Sequence, residues 1–335
     1  MQTEQLMKRA IELSQQGASF TYPNPMVGAV IADSSGQIIS EGFHKGAEHA
    51  EVLAINNAKS IPADATLFVT LEPCNHFGKT PPCTDAIITS GIKNVVFATN
   101  DPNLVAAGGA NKLIAAGVNV TSGLLANEAA IANRAWLTKM EKGRARIIWK
   151  IASTLDGKVA AKDGSSKWIT SNQSRQDVAK LRAESDAILT SSKTVIADNP
   201  TLDSKGVGSN PYRIVMGQSK LDSSANIFND LAKTKVIESR DFAELLDFVK
   251  NEGFNQVLVE SGPNFGSALL AAGLIDEIVI YIAPAILGSG LSSVADLGFK
   301  SIDEKLQLSL ISQEVIDQDI KITYQVEANA LIGVK

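Results

Sequence analysis

Basic charge, cysteine and uninterrupted apolar sequence are all scarce in this chain, and each scarcity excludes something. Its 335 residues carry 31 Lys and Arg against 36 Asp and Glu, a net charge of −5. That balance argues against affinity for a polynucleotide through a broad cationic surface, and no basic stripe interleaved with aromatics is present. No apolar run approaches the ~20 residues that cross a bilayer, because Gly, Asp, Asn or Lys interrupts every long one. The first residues, MQTEQLMKRAIELSQQG, lack the basic-then-apolar order of a signal peptide and read as an amphipathic helix. These absences predict a cytoplasmic protein that engages neither nucleic acid nor membrane, and they leave a homo-oligomer open. Only two cysteines occur, Cys74 and Cys83. In a cytosolic chain such a pair points to a metal or a reactive site rather than to a disulfide framework.

What is present suits two folded domains. The chain is 44% hydrophobic and 20% charged, enough apolar material for two cores, and at roughly 100–200 residues per domain its length predicts two. The first part alternates helical and strand signals: a helix at about 4–16, strands at 27–31 and 38–41, a helix from 49 and a strand at 66–70. A helix after Cys83, a strand at 94–98, a helix near 110–116 and a strand at 118–121 follow. This is a three-layer α/β pattern. A helical stretch at 127–140 ends in Lys142-Gly143-Arg144, cations followed by a glycine stop, which sets domains of 1–144 and 145–335. The second half again alternates, with strands at 146–153, 187–190, 212–216, 235–238, 256–260 and 277–283 and a helix near 174–184.

The most informative cluster is His49-Ala50-Glu51, followed by Pro73-Cys74 and, after eight intervening residues, by Cys83. A zinc ion held by one imidazole and two thiolates keeps a fourth position for water and acidifies it, while a carboxylate that is not a ligand shuttles protons. His49, Cys74 and Cys83 are the expected ligands and Glu51 the expected shuttle. Both cysteines are expected to open helical turns, where the dipole favours thiolate. His-x-Glu alone is noise, and two cysteines alone are more often buried apolar residues. It is their order that carries the zinc-deaminase signature. His44 and His76 carry blander readings, as a surface or strand-end residue and a loop residue.

Nucleoside deaminases place two residues between their cysteines, whereas here Cys74-NHFGKTPP-Cys83 has eight. With Thr70-Leu71-Glu72-Pro73, Pro23-Asn24-Pro25-Met26-Val27-Gly28 and Asp101-Pro102-Asn103, the chain resembles the bifunctional deaminase/reductase family of riboflavin biosynthesis. The resemblance extends over Lys150 to Lys158, Ser166-Lys167-Trp168, Leu181-Arg182, Ser191 to Pro200 and the strand ending at Glu260. It implies a cytidine-deaminase-like three-layer domain followed by a dihydrofolate-reductase-like α/β domain. The implied substrate is a small phosphoribosyl pyrimidine, 2,5-diamino-6-(5-phosphoribosylamino)pyrimidin-4-one, which loses its 2-amino group before its ribosyl chain is reduced to ribityl with NADPH.

The resemblance also implies roles. Asn24 would contact the deaminase substrate and Lys79 its phosphate. Ala152, Trp168, Thr194 and Asp198 would line the NADPH site together with the turn Gly262, Pro263, Asn264, Phe265, Gly266, Ser267 and Ala268. Bottom-up, that turn is a strand feeding a glycine and a helix N-terminus, a ready phosphate site although no G-x-G-x-x-G occurs. Ser166, Arg182, Leu202, Lys205 and Glu260 would meet the reductase substrate, with Asp156 and Glu260 as acidic candidates for proton management. Lys205 stands where the family usually has arginine, exchanging a bidentate grip for a point charge. Two other readings compete: a base or nucleic-acid deaminase fused to a non-catalytic binding module, and a zinc-stabilised structural protein. The second leaves Glu51 unexplained, because a closed structural site has four protein ligands.

Overall fold

The computed structural model describes residues 2–18, 21–78, 80–103 and 105–327, and the chain divides into two compact units, Met1–Arg144 and Ala145–Lys335. No helix of the described residues is long and apolar enough to cross a membrane.

The first unit runs α1 (Gln2–Gln15), β1 (Gly28–Ala32), β2 (Ile38–Phe43), α2 (Ala50–Asn57), β3 (Thr66–Leu71), α3 (Cys83–Ser90), β4 (Asn94–Thr99), α4 (Gly109–Ala115), β5 (Asn119–Ser122), α5 (Ala126–Ala132) and α6 (Arg134–Lys142). Its sheet is ordered β2-β1-β3-β4-β5; β1 is antiparallel to both neighbours, while β3, β4 and β5 are parallel. Alternate residues face opposite cores. Ala29, Ile31, Leu67 and Val69 pack with Ala54, Ile87 and Leu113 on one face, and Val30, Ala32 and Phe68 pack with Met7, Ala10 and Ala129 on the other. Gly28 lets α1 lie on the backbone of β1, since a Cβ there would collide with the carbonyl of Ala10.

Two local expectations change. The helix expected at 127–140 is broken at Asn133, whose backbone leaves helical geometry (φ −106°, ψ 16°). Its buried side chain accepts the amide of Met26 at 3.1 Å, tying the break to the approach to β1. Cys74 does not open a helical turn; it lies in the irregular loop after β3.

The second unit runs β6 (Arg146–Thr154), β7 (Lys158–Ala161), α7 (Asn172–Ala183), β8 (Ala187–Ser191), α8 (Ser192–Asp198), β9 (Tyr212–Met216), β10 (Thr234–Ile237), α9 (Phe242–Asn251) and β11 (Gln256–Val259). Then come α10 (Pro263–Ala271), β12 (Glu277–Ala283), β13 (Gly290–Ser292), β14 (Leu308–Ile316) and β15 (Asp319–Val326). The main sheet is ordered β10-β9-β8-β11-β6-β12-β15-β14. Its first six strands are parallel, and β15 and β14 add an antiparallel hairpin. Both faces are again buried. Trp149, Leu189, Val257 and Val259 serve one core and Ile148, Ile188, Val215 and Leu258 the other, as a parallel sheet covered on both sides requires. β7, β13, β14 and β15 are additions to the strands and intervening helices expected from the sequence.

Candidate active sites

The chain order of the first unit delivers three ligand atoms to one point. His49 is the N-cap residue of α2 and Cys83 the first residue of α3, while Cys74 follows β3, beside which both helices pack. His49 Nδ1 lies 3.1 Å from Cys83 Sγ and 3.6 Å from Cys74 Sγ, and the backbone amide of Cys83 donates to Cys74 Sγ at 3.4 Å. The three ligand atoms lie within 4.8 Å of one another. One nitrogen and two sulfurs at this separation suit zinc, and among the described residues no fourth His, Cys or carboxylate completes the set, as an open catalytic site requires. Hydrogen bonds from Cys83 and then His49 hold the Cys74 thiol down to about 4, against its burial. Cys83, as the hydrogen-bonded partner of that thiolate, is pushed the other way. Glu51, the second residue of α2 and 4% exposed, is pushed up to about 7 by burial and then by the charge of Cys74.

A cavity of about 450 Å³ opens on this cluster, walled by Asn24, Glu51, His76, Asp101, Asn103 and Trp136 among others. Asn24, expected to contact the substrate, is among the residues that line it. Lys79 lies outside the described residues. The carboxylate of Glu72 accepts the amides of Ala110 at 3.0 Å and Asp101 at 3.3 Å, clamping the start of α4 and the loop after β4 to the strand end that leads into Cys74. His44 departs from its reading as a surface residue: it is 4% exposed, lines the cavity and holds its ring 5.2 Å from that of His49. Burial lowers its pKa, so it presents a neutral imidazole. The signal was its spacing, five residues before His49, across which β2 turns into α2. His76, read as a bland loop residue, also reaches the cavity wall.

The second unit has its own cavity, about 1560 Å³, along the carboxyl ends of β8 to β11. The sequence-derived residues Ala152, Trp168, Thr194 and Asp198 line it, as do Ser166, Arg182, Leu202, Lys205 and Glu260. Of the turn after β11, Gly262, Pro263, Asn264, Phe265 and Ala268 face the cavity, whereas Gly266 and Ser267 do not. Gly266 backs onto Trp149, whose indole a Cβ would strike, and Ser267 is buried with its hydroxyl accepting the amide of Ala295 at 2.9 Å. The helical turn of α10 rotates these two positions toward the sheet. Gly262 caps α10 without a side-chain hydrogen bond, donates its amide to Thr194 Oγ1 at 3.3 Å, and has open space where a Cβ would stand. An uncapped helix start at the rim of so large a cavity fits a dinucleotide phosphate.

Charge is concentrated at Glu260. Arg182 grips it with two bonds, 2.5 and 3.0 Å, and Lys150 adds a third at 3.0 Å. Burial opposes ionisation, but the two cations, Arg182 foremost, hold the carboxyl down to about 2. Held ionised by these two cations, Glu260 is placed as a charged partner rather than as a proton donor. Asp156 is removed from proton management by position. It is exposed, absent from the cavity wall, and accepts Thr154 Oγ1 at 2.6 Å and the amide of Gly288 at 2.7 Å, so it builds the turn after β6. Trp168 stands 72% exposed at the cavity mouth with the Arg175 guanidinium 4.6 Å over its ring.

Comparison with known proteins follows the same division. Residues 1–99 match the cytidine and deoxycytidylate deaminase zinc-binding region, and residues 145–322 match the RibD C-terminal domain. The riboflavin biosynthesis protein RibD of Mycobacterium tuberculosis is 40% identical over 328 residues, covering 96% of each chain. That of Escherichia coli is 39% identical over 337 residues, 89% of this chain and 92% of its own. Among solved structures, the diaminohydroxyphosphoribosylaminopyrimidine deaminase/5-amino-6-(5-phosphoribosylamino)uracil reductase of Thermotoga maritima superposes with a TM-score of 0.89 at 35% identity, covering 97% of this chain and 99% of that one.

Proposed function

Because the chain belongs to the RibD family of riboflavin biosynthesis proteins, we propose that its two cavities perform successive steps, deamination and then reduction, on one phosphoribosyl pyrimidine. The observation that carries this reading is the placement of buried Glu51 beside the His49, Cys74 and Cys83 cluster. Full-length similarity to the RibD relatives favours it over a base deaminase joined to a binding module.

His49, Cys74 and Cys83 would hold a zinc ion, which when bound would supply an acidified water at its open position. Glu51 takes a proton from the attacking water and returns it to the departing 2-amino group, so that water enters, the ring carbon becomes a carbonyl and ammonia leaves. Its burial suits this work, since a carboxyl near 7 accepts and releases a proton with little penalty on either side. Asn24 holds the pyrimidine edge in the cavity that Trp136 helps to wall.

In the second unit bound NADPH would supply the hydride to C1 of the opened ribosyl imine, whose nitrogen takes the balancing proton from water. Ala152, Trp168, Thr194, Asp198 and the turn from Gly262 to Phe265 with Ala268 seat the dinucleotide. Ser166, Leu202 and Lys205 orient the substrate, Lys205 holding its phosphate as a point charge. The ionised Glu260, paired with Arg182 and Lys150, presents a fixed charge pattern to the polar ribosyl chain. The enzyme works in the cytoplasm on a small molecule.

Mass spectrometry of 2,5-diamino-6-(5-phosphoribosylamino)pyrimidin-4-one incubated with the zinc-loaded protein tests the whole sequence. The expected result is exchange of one amine for oxygen without NADPH and a further gain of two hydrogens only when NADPH is added. No conversion in either case would reject the reading.

A further inference from the structure

Arg213, the second residue of β9, is 1% exposed and does not reach the cavity wall, yet its guanidinium is spent on loops rather than on a carboxylate. Nη1 donates to the carbonyl of Thr201 at 3.2 Å and to Asn229 Oδ1 at 2.9 Å. Nη2 donates to the carbonyl of Asn229 at 2.7 Å and to that of Ala232. None of its hydrogen bonds goes to a carboxylate, and Nε has no partner. A buried cation so placed gives up hydration that an aliphatic side chain would never have had. What it obtains in return is the fixing of two separate loops, 199–205 and 229–232.

The first of these loops is the one that brings Leu202 and Lys205 to the cavity. It contains three non-glycine residues in left-handed backbone geometry, Asn199 (φ 42°), Leu202 (φ 49°) and Lys205 (φ 53°). Such conformations persist where the surroundings over-determine them. The restraints are visible: the amide of Asn226 donates to Asn199 Oδ1 at 2.8 Å, Arg182 to the carbonyl of Asp203 at 3.0 Å, and Arg213 to the carbonyl of Thr201. Thr201 in turn accepts from Lys205 Nζ at 3.3 Å through its hydroxyl, which itself donates to Asp203 Oδ1 at 2.6 Å. Asp203 Oδ1 lies 2.8 Å from the same ammonium. One residue therefore links the buried guanidinium to the exposed cation: its carbonyl is held by Arg213 and its hydroxyl holds Lys205. Arg182 holds the loop from the cavity side, where it also grips Glu260, and Arg213 holds it from behind.

We propose that Arg213 is a positioning residue of the reductase site, setting the place of Leu202 and Lys205 through Thr201 without touching substrate or cofactor. The inference rests on the reductase reading given above and adds to it a residue that acts from outside the cavity. Because the dinucleotide turn at 262–265 shares no hydrogen bond with Arg213, the effect of its loss should fall on the pyrimidine and spare NADPH.

Steady-state reduction of the phosphoribosylaminouracil by the full-length protein tests this with Arg213→Met, Arg213→Lys, Asn229→Ala and Lys205→Ala. Arg213→Met is expected to lower kcat/KM for the pyrimidine about ten- to a hundredfold, chiefly through KM, with KM for NADPH changed by less than about twofold. Arg213→Lys, with one short donor group for several carbonyls, should fall between. In an Arg213→Met background Lys205→Ala should cost little more, because the two changes act on one element. Where Arg213→Met does not fold, Asn229→Ala keeps the cation and removes one acceptor, and a selective rise in pyrimidine KM supports the same conclusion. Unchanged kinetics, an equal loss for pyrimidine and NADPH, or full additivity with Lys205→Ala overturns the inference. A wild-type protein that reduces no substrate overturns it together with the functional reading, whereas a wild type that turns over beside an unaffected Arg213→Met variant overturns the inference alone.

Discussion

The two cavities of this protein are assembled in different ways. The metal cluster draws its ligands from one stretch of 35 residues, His49 to Cys83, at the N-cap of α2, in the loop after β3 and at the first residue of α3, on a sheet that β1 and β4 complete from outside that stretch. The reductase cavity gathers residues from Lys150 to Glu260 and beyond, and its charged centre joins β6, α7 and the end of β11 through Lys150, Arg182 and Glu260. A site built locally is tuned by the chemistry of its own few groups. One built from distant strands stands or falls with the sheet that carries it, so damage to the first should remove chemistry and damage to the second should remove stability as well.

Removing zinc with a chelator, or replacing Cys83 with serine, is expected to bring deamination below detection while NADPH-dependent reduction of the deaminated substrate proceeds unchanged; metal analysis and both assays on one preparation check this. Parallel loss of both activities would break the contrast. Glu51→Gln should lose about 10²–10⁴-fold in deamination, the usual worth of a positioned acid-base group, with zinc content intact. Retained activity in that variant would take the proton shuttle away from Glu51.

The reductase counterpart is Glu260→Gln. It leaves Arg182 and Lys150 buried without their carboxylate, and removing one partner of a buried pair costs about 3–5 kcal/mol, so calorimetry of the full chain should show the second unit melting earlier and the first unmoved. The pH dependence has a defined sign. Glu260 in the folded chain titrates near 2, below its ordinary 4.5, so its stabilisation, roughly 3 kcal/mol, is complete above about pH 4.5 and disappears as the pH falls toward 2. The Gln variant should lack this acid-side loss. The smallest effect sharpens the comparison most finely: Lys205→Arg, which restores a bidentate grip, should lower pyrimidine KM about two- to tenfold and leave deamination untouched.

The same division explains what could be read from the sequence. His49, Glu51, Cys74 and Cys83 were legible because their chemistry is tied to short spacings, although of the two cysteines only Cys83 begins a helix. The pattern of strands and helices was legible wherever apolar residues ran unbroken, as in β3, β8 and β11. The break at Asn133 was not, because it depends on an amide 107 residues away in sequence. The hairpin of β14 and β15 was missed because β14 is exposed along most of its length, which erases the alternation by which a half-buried strand is recognised. Gly266 and Ser267 were assigned to the dinucleotide because a glycine-bearing turn announces a helix start without disclosing the helix's rotation, and only the packing of Trp149 fixes that. Arg213 acquires its surroundings from tertiary contacts, so nothing in its immediate neighbours announced it.

The place of β6 has a consequence for how the chain is made. Its neighbours in the sheet are β11 and β12, and the Arg146 at its start bonds Glu277, 131 positions further on. Synthesis runs from the N-terminus at about 5–20 residues per second, so on the order of 10 s passes between the emergence of this strand and that of the last strand it must join. The first unit, whose sheet is complete by Ser122, can fold during that interval. The central strand of the reductase, Arg146 to Thr154 with its apolar faces, has to wait in an unfinished chain. The growing polypeptide thus has a window in which one enzyme is already shaped and the other is exposed to aggregation, and slowed translation between residues 155 and 283 should lower the yield of reductase relative to deaminase in a cell-free synthesis.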